Sequence, residues 1–304
     1  MGKDMIIGIV DRYNWDQIKY WANSITKSGF TGHKALIVYN MDAETVKKLT
    51  AKDFMLIGCN QYNEVTGFSH DNSKGNVMVD RFFHVSSFLS MVENPDDINR
   101  VIVTDVRDVI FQSDPSKWLD TFFLPDSDII VGSENLTYGS EPWSKNNMKL
   151  AFGDYFQDKK KNDEIFCAGV IAGRRESIRD LFLNVWLVCR GLNPQIPGGG
   201  GPDQAALNIL LNMVQYSNKT LFTNPTSGWV LHAGTSLPAI EAGSGGIGEE
   251  YVRNPNMALP FIRNIDVGML DTTVTVNGNP ISIVHQWDRV PAWKRMVEEN
   301  YGAN

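Results

Sequence analysis

VIVTDVRDVIFQSDP, residues 101–115, sets three apolar β-formers and a threonine ahead of two aspartates, Asp105 and Asp108, with a second apolar run behind them. A buried strand ending in carboxylates suits a hard divalent cation, because such ions take oxygen ligands. In open α/β sheets, ligands sit outside the carboxyl ends of the strands. The same pair reads equally well as strand-end turn formers, a role aspartate fills readily. Side chains alternate along a strand, so positions i and i+3 face opposite ways. Both aspartates reach one ion only if the strand breaks into a turn after Asp105. Arg107 lies between them, placed to meet a phosphate or a carboxylate.

Upstream, strand and helix alternate. MIIGIV (5–10) is a short apolar run typical of a buried parallel strand. Asn14 with Gln17 predicts a capping-box start, Ile18, Trp21, Ala22 and Ile25 follow at helical spacing, and Gly29 stops the helix. ALIVY (35–39), a short helix capped by Asp42, FMLIG (54–58) and a helix from Asp80 to about Val92 lead back to VIVT (101–104). This order predicts an α/β fold with a mainly parallel, Rossmann-like sheet and helices on both faces.

Downstream the pattern is less regular. DIIVG (128–132) and FCAGVIAG (166–173) read as strands, KKKND (159–163) as a solvated loop, and AGSGGIGEE (242–250) as a Gly-rich loop. Ile178, Leu181, Phe182, Val185 and Val188 predict one helix face. Leu207, Leu210, Leu211 and Val214 predict another, after a GGGGPD turn (198–203). SIVHQWD (282–288) reads as a late strand before a terminal amphipathic helix.

The bulk numbers bound the function. The 304 residues are 42% hydrophobic and 21% charged, as in an ordinary globular protein. A net charge of −7 argues against nucleic acid as a partner, which needs a basic surface. No stretch approaches the ~20 apolar residues of a membrane span. Cys59, Cys167 and Cys189 form no CxxC, and MGKDMIIGIV leaves no room for a signal peptide, so a cytoplasmic location is expected. GGGGPD lacks the GK[ST] of a P-loop, and MIIGIVDRYN lacks GxGxxG.

Several segments, taken in chain order, resemble the GT-A glycosyltransferases. The acidic strand end resembles their DxD signature, here spaced DxxD. DRFFHVSSFL places Arg81 where such enzymes carry an arginine that contacts the sugar donor. FCAGVIAG resembles the NAGV segment, with Cys167, Ala168 and Gly169 beside the donor sugar and cysteine in place of asparagine. GPDQAALN resembles the DQxxLN helix start, carrying Asp203 and Gln204. IVHQWDR resembles the late histidine strand, with His285 closing the metal site and Arg289 at the phosphate-binding position. Read without the resemblance, His285 is better explained as a hydrogen-bonded core histidine.

The resemblance implies one GT-A-like domain over 1–304, with a nucleotide-binding half (1–115) and an acceptor and donor-sugar half (116–304). It implies Mn2+ (or Mg2+) held by Asp105, Asp108 and His285, with Asp203 on sugar hydroxyls and Gln204 facing the anomeric carbon. Tyr13 is placed to stack on the base, Asp11 to accept hydrogen bonds from base or ribose, and Arg81 and Arg289 to add bidentate phosphate contacts. Trp143, Trp229 and Trp287 are candidate sugar platforms, although a tryptophan is more often a packing residue. The expected activity is hexosyl or pentosyl transfer from a nucleoside-diphosphate sugar, UDP by default, to a glycan or other hydroxyl acceptor, with retention favoured. A nucleotidyltransferase and a non-catalytic nucleotide-sugar-binding module are the alternatives.

Overall fold

The computed structural model describes residues 2–70, 76–193, 200–257 and 265–303. The first half runs β1 (Lys3–Val10), α1 (Trp15–Lys27), β2 (His33–Val38), α2 (Ala43–Thr50) and β3 (Met55–Gly58). A short ladder of β4 (Tyr62–Asn63) and β5 (Gly67–Phe68) precedes α3 (Val77–Ser90), β6 (Ile98–Thr104) and β7 (Val109–Phe111). Then come α4 (Pro115–Phe122), β8 (Ile129–Thr137), α5 (Pro142–Lys160, broken at Gly153), β9 (Glu164–Arg174) and α6 (Arg175–Cys189). Next are α7 (Asp203–Leu211), α8 (Val214–Ser217), β10 (Thr220–Thr223), β11 (Val230–His232), α9 (Leu237–Glu241) and α10 (Gly245–Arg253). A small antiparallel sheet of β12 (Val267–Leu270), β13 (Thr273–Val276) and β14 (Asn279–Pro280) leads to β15 (Ile283–His285) and α11 (Pro291–Tyr301).

Seven strands form the main sheet in the order β10-β8-β9-β6-β1-β2-β3. All neighbours pair in parallel except β9, which runs antiparallel between β6 and β8. The protein is therefore a mixed α/β fold with a mainly parallel, Rossmann-like sheet. Alternate strand residues pack on opposite faces, as the period of two requires. Ile7, Ile37, Val103 and Ile171 meet α3 and α6, whereas Ile6, Leu36, Ile102 and Val170 meet α1. Each such fully buried side chain contributes about 1.5–3 kcal/mol, so both helical layers are firmly held.

One contact fixes the exit of the chain from β6. Trp21 of α1 donates its indole N–H to Thr104 Oγ1 at 2.9 Å, and both are buried. The approach needs Gly8 in β1: a β-carbon there would lie 2.9 Å from the Trp21 ring and 2.6 Å from Val106. The last residue of β6 is thus anchored just before Asp105.

Several expectations need correction. Gly245–Arg253 is a helix, because Ile247 anchors it in a small core with Leu136 and Ile240, overriding the low helix preference of glycine. KKKND is not wholly a loop, since α5 extends through Lys160. Val214 faces away from the core at 69% exposure, because Asn212 ends α7 and α8 sets off in a new direction. The late strand stops at His285, where Gln286 turns the chain in a left-handed conformation. Positions 198 and 199 of GGGGPD lie outside the described residues.

Candidate active site

Past Thr104 the chain leaves the main sheet and turns before β7, which joins β11 and β15 in a separate three-stranded sheet. This is the break that two aspartates three apart require. Asp105 is held by its backbone N–H on the Gly169 carbonyl at 2.8 Å. Asp108 is held through its carbonyl, which accepts from Gln286 N at 2.7 Å, while Val109 pairs with His285. His285 Nε2 accordingly lies 3.5 Å from Asp105 Oδ2 and 3.8 Å from Asp108 Oδ1. One ligand atom from each residue lies within 4.8 Å of the other two. The fit depends on Gly169, where a β-carbon would collide with the His285 ring and stand 3.0 Å from Asp105 Oδ2.

Arg81 projects from α3 beneath this group. Its guanidinium donates to Asp105 and, at 2.8 Å, to Asp203 Oδ2 at the start of α7. Burial acts to raise the Asp105 carboxyl, but Arg81 and then His285 outweigh it and bring it down to about 2. Asp108 and Asp203 are both pushed up by burial, with Asp105 adding to the effect and His285 or Arg81 opposing it. Burial disfavours the His285 imidazolium, yet Asp108 and Asp105 hold its pKa above the ordinary value.

Gln204 Oε1 accepts from Ala168 N at 3.2 Å. Asn208, one turn further along α7, clamps both backbone groups of Phe166 at 2.9 and 2.8 Å. These bonds set the start of β9, so Cys167 Sγ comes 3.6 Å from His285 Nδ1. Burial lifts the Cys167 thiol far above its usual range, which leaves it a packing group rather than a nucleophile. At the rim, Arg107 and Arg289 flank the Asp288 carboxylate at 3.8 and 3.7 Å and are about half exposed. Asp11, which accepts from Asn40 at 2.6 Å, and Tyr13 follow the end of β1.

These groups surround one cavity of about 760 Å³ at the carboxyl edge of the parallel strands. Every candidate residue read from the sequence, the tryptophans apart, lines it, from Asp11 to Arg289. Of the three tryptophans only Trp143 does. Trp229 is fully buried against Trp118, and Trp287 packs on Tyr20, so both are core residues.

Two residues carried no motif. Glu134 on β8 is 7% exposed and lines the cavity. Burial first, then the Glu141 charge, raises its carboxyl to about 7, against Cys167 and Gln204. His232 ends β11 beside His285. A faint signal for it exists, since Val-Leu-His and Ile-Val-His are both apolar runs closed by histidine.

The shift at Glu134 has a measurable consequence. Its folded-state value lies above the ordinary 4.5, so its stabilising contribution is complete below that pH and is lost as pH rises through about 7. Glu134→Gln should therefore flatten the decline of Tm across that window. An unchanged slope in the folded variant would refute the shift.

The fold and cavity define the class: an α/β protein with an acidic pocket at the carboxyl edge of its sheet. No protein-family model matches the sequence. No curated protein matches it. Among solved structures, the chain is similar to the glycosyltransferase GlyE of Streptococcus pneumoniae TIGR4, with a TM-score of 0.49 and 14% identity. The similarity covers 99% of this chain and 64% of that one, so the chain spans less than two thirds of that structure's length. Among the described residues, no helix is long and apolar enough to cross a membrane.

Proposed function

We propose that this protein is a metal-dependent glycosyltransferase that moves a hexosyl or pentosyl group from a nucleoside-diphosphate sugar to a hydroxyl acceptor. One observation carries the reading: Asp105, Asp108 and His285 converge at the sheet's carboxyl edge, in a cavity that Gln204 also lines. Two carboxylates and one imidazole fit Mn2+ or Mg2+ better than zinc, which favours nitrogen and sulfur. A cation held there would neutralise charge on the departing diphosphate. In this reading residues 1–304 act as one unit, with the nucleotide half in 1–115 and the sugar and acceptor half in 116–304.

The chain's own groups then divide the work. Asp11 and Tyr13 take the base and ribose, with UDP the expected nucleotide. Arg107 and Arg289 at the rim meet the phosphates with forked hydrogen bonds. Arg81 supports the floor through Asp105 and Asp203. The β9 segment from Cys167 to Gly169 forms the wall beside the sugar, Asp203 binds its hydroxyls, and Gln204 faces the anomeric carbon. The bond from that carbon to the diphosphate breaks, the bond to the acceptor oxygen forms, and the acceptor proton leaves with the diphosphate. Retention is the expected outcome, with a glycan or similar hydroxyl as acceptor. The acidic balance of the chain disfavours nucleic acid as a partner, and three free cysteines accord with the cytoplasm.

The test is slow hydrolysis of UDP-, GDP- and dTDP-sugars with and without Mn2+. Metal-dependent release of nucleoside diphosphate is the expected result. Release of pyrophosphate would make the protein a nucleotidyltransferase, and no release would leave a binding module. Proton NMR of the transferred sugar reads the configuration, and an inverted product would overturn retention.

A further inference from the structure

The His285 ring has two nitrogens in two different settings. Nε2 faces Asp105 and Asp108, whereas Nδ1 lies 3.0 Å from Nδ1 of His232. The two residues are paired in register on adjacent parallel strands, both are buried, and their rings stand at 89°. Two nitrogens at that distance share one hydrogen, so one ring donates and the other accepts. If His232 donates, the His285 Nδ1 lone pair is used and its Nε2 carries a proton toward the carboxylates. If His232 accepts, Nε2 is free to bind a cation.

A cation on Nε2 requires the Nδ1–H form of His285, and Nδ1 of His232, at 3.0 Å, is then the acceptor. Nε2 of His232 is buried against Gly132 with no hydrogen-bond partner among the described residues. The other neighbour of His285 Nδ1 is the Cys167 sulfur at 3.6 Å, a weak acceptor already receiving Gly169 N–H.

We infer that His232 is a positioning residue, accepting the Nδ1–H of His285 and so holding its Nε2 lone pair toward Asp105 and Asp108. The inference rests on the metal reading above. It gives His285 a partner of the kind that fixes tautomer and ring orientation in metal-binding histidines. It also distinguishes two overlapping ligand sets, since Cys167, His232 and His285 form a second cluster on the far side of the same ring.

Mn2+ binding, followed by the electron paramagnetic resonance of the free ion, tests it with His232→Phe and His232→Asn. The phenylalanine keeps a ring but no acceptor, and should weaken binding by about 10–100-fold with an unchanged circular dichroism spectrum. Asparagine restores an acceptor near the Nδ1 position and should recover most of the loss. Affinity within about twofold of the parent in a folded His232→Phe protein would overturn the inference, on the scale of that expected loss. So would a thiolate-to-cobalt charge-transfer band on adding Co2+, because it would put the ion on the Cys167 side. If His232→Phe does not fold, nitrogen-15 NMR of the parent decides: His232 protonated at Nε2 supports the inference, and at Nδ1 refutes it. If the parent binds no Mn2+, the metal reading fails, and the tautomer of His232 measured without metal still settles the proton's position.

Discussion

Arg81→Met lowers stability at neutral pH by about 3–5 kcal/mol in urea denaturation, the cost typical of breaking a buried ion pair by removing one partner. Methionine keeps the apolar stem of Arg81 and loses the guanidinium carbon that lies 4.9 Å from the centre of the Phe82 ring. What disappears is the guanidinium shared by Asp105 and Asp203. Asp203, whose side chain is 5% exposed, is left as an unpaired carboxylate, whereas Asp105 at 31% can still be reached by water. Most of the loss therefore belongs to Asp203. The loss should shrink as pH falls, because a protonated carboxyl needs no cation beside it. Asp203 already has a raised pKa, from burial acting against Arg81, and removing Arg81 removes that opposition. A loss below about 1 kcal/mol, the range of an exposed pair, would show that the group is solvent-screened.

Asp108→Asn should cut donor turnover by about 10²–10³-fold, equivalent to about 2.7–4 kcal/mol. The substitution preserves shape, and the backbone bond from Gln286 N to the Asp108 carbonyl does not involve the side chain. It removes one of the two carboxylates that face His285 Nε2, so the cation would lose a charged oxygen ligand. Mn2+ affinity should fall in the same protein. Asp288→Asn is the matched control, since that carboxylate lies at the rim between Arg107 and Arg289. It should leave Mn2+ affinity nearly unchanged. Steady-state kcat/KM and Mn2+ titration read both, and an Asp108→Asn protein as active as the parent would remove Asp108 from the ligand set.

Much of the frame was legible because the signals were local. The Asn14–Gln17 capping box forms as the spacing predicts, and the run through Val103 becomes a central strand. The position of Asp105 and Asp108 was legible as a condition, a turn after Asp105, and that turn is present. Glu134 was not legible, because β8 is buried on both faces from Ile129 to Glu134 and shows no alternation to mark its direction. A carboxylate with a raised pKa also looks like any other in a sequence. His232 was hidden by distance, since its role depends on the pairing of β11 with β15. The ion pairs of Arg81 were hidden for the same reason, joining α3 to the end of β6 and the start of α7.

The pairing of Val109 with His285 has a further consequence for how the protein is made. Chain synthesis delivers Asp105 and Asp108 early, but their histidine partner is added only after β8, β9 and β11 have emerged. Closing so long a loop is entropically costly and slow compared with local pairing. A ribosome-bound intermediate can therefore complete much of the sheet while its acidic corner is still open. Completion of the acidic corner by His285 becomes the closing event of maturation, and a chain stopped before β15 would retain the sheet's strands yet lack the imidazole.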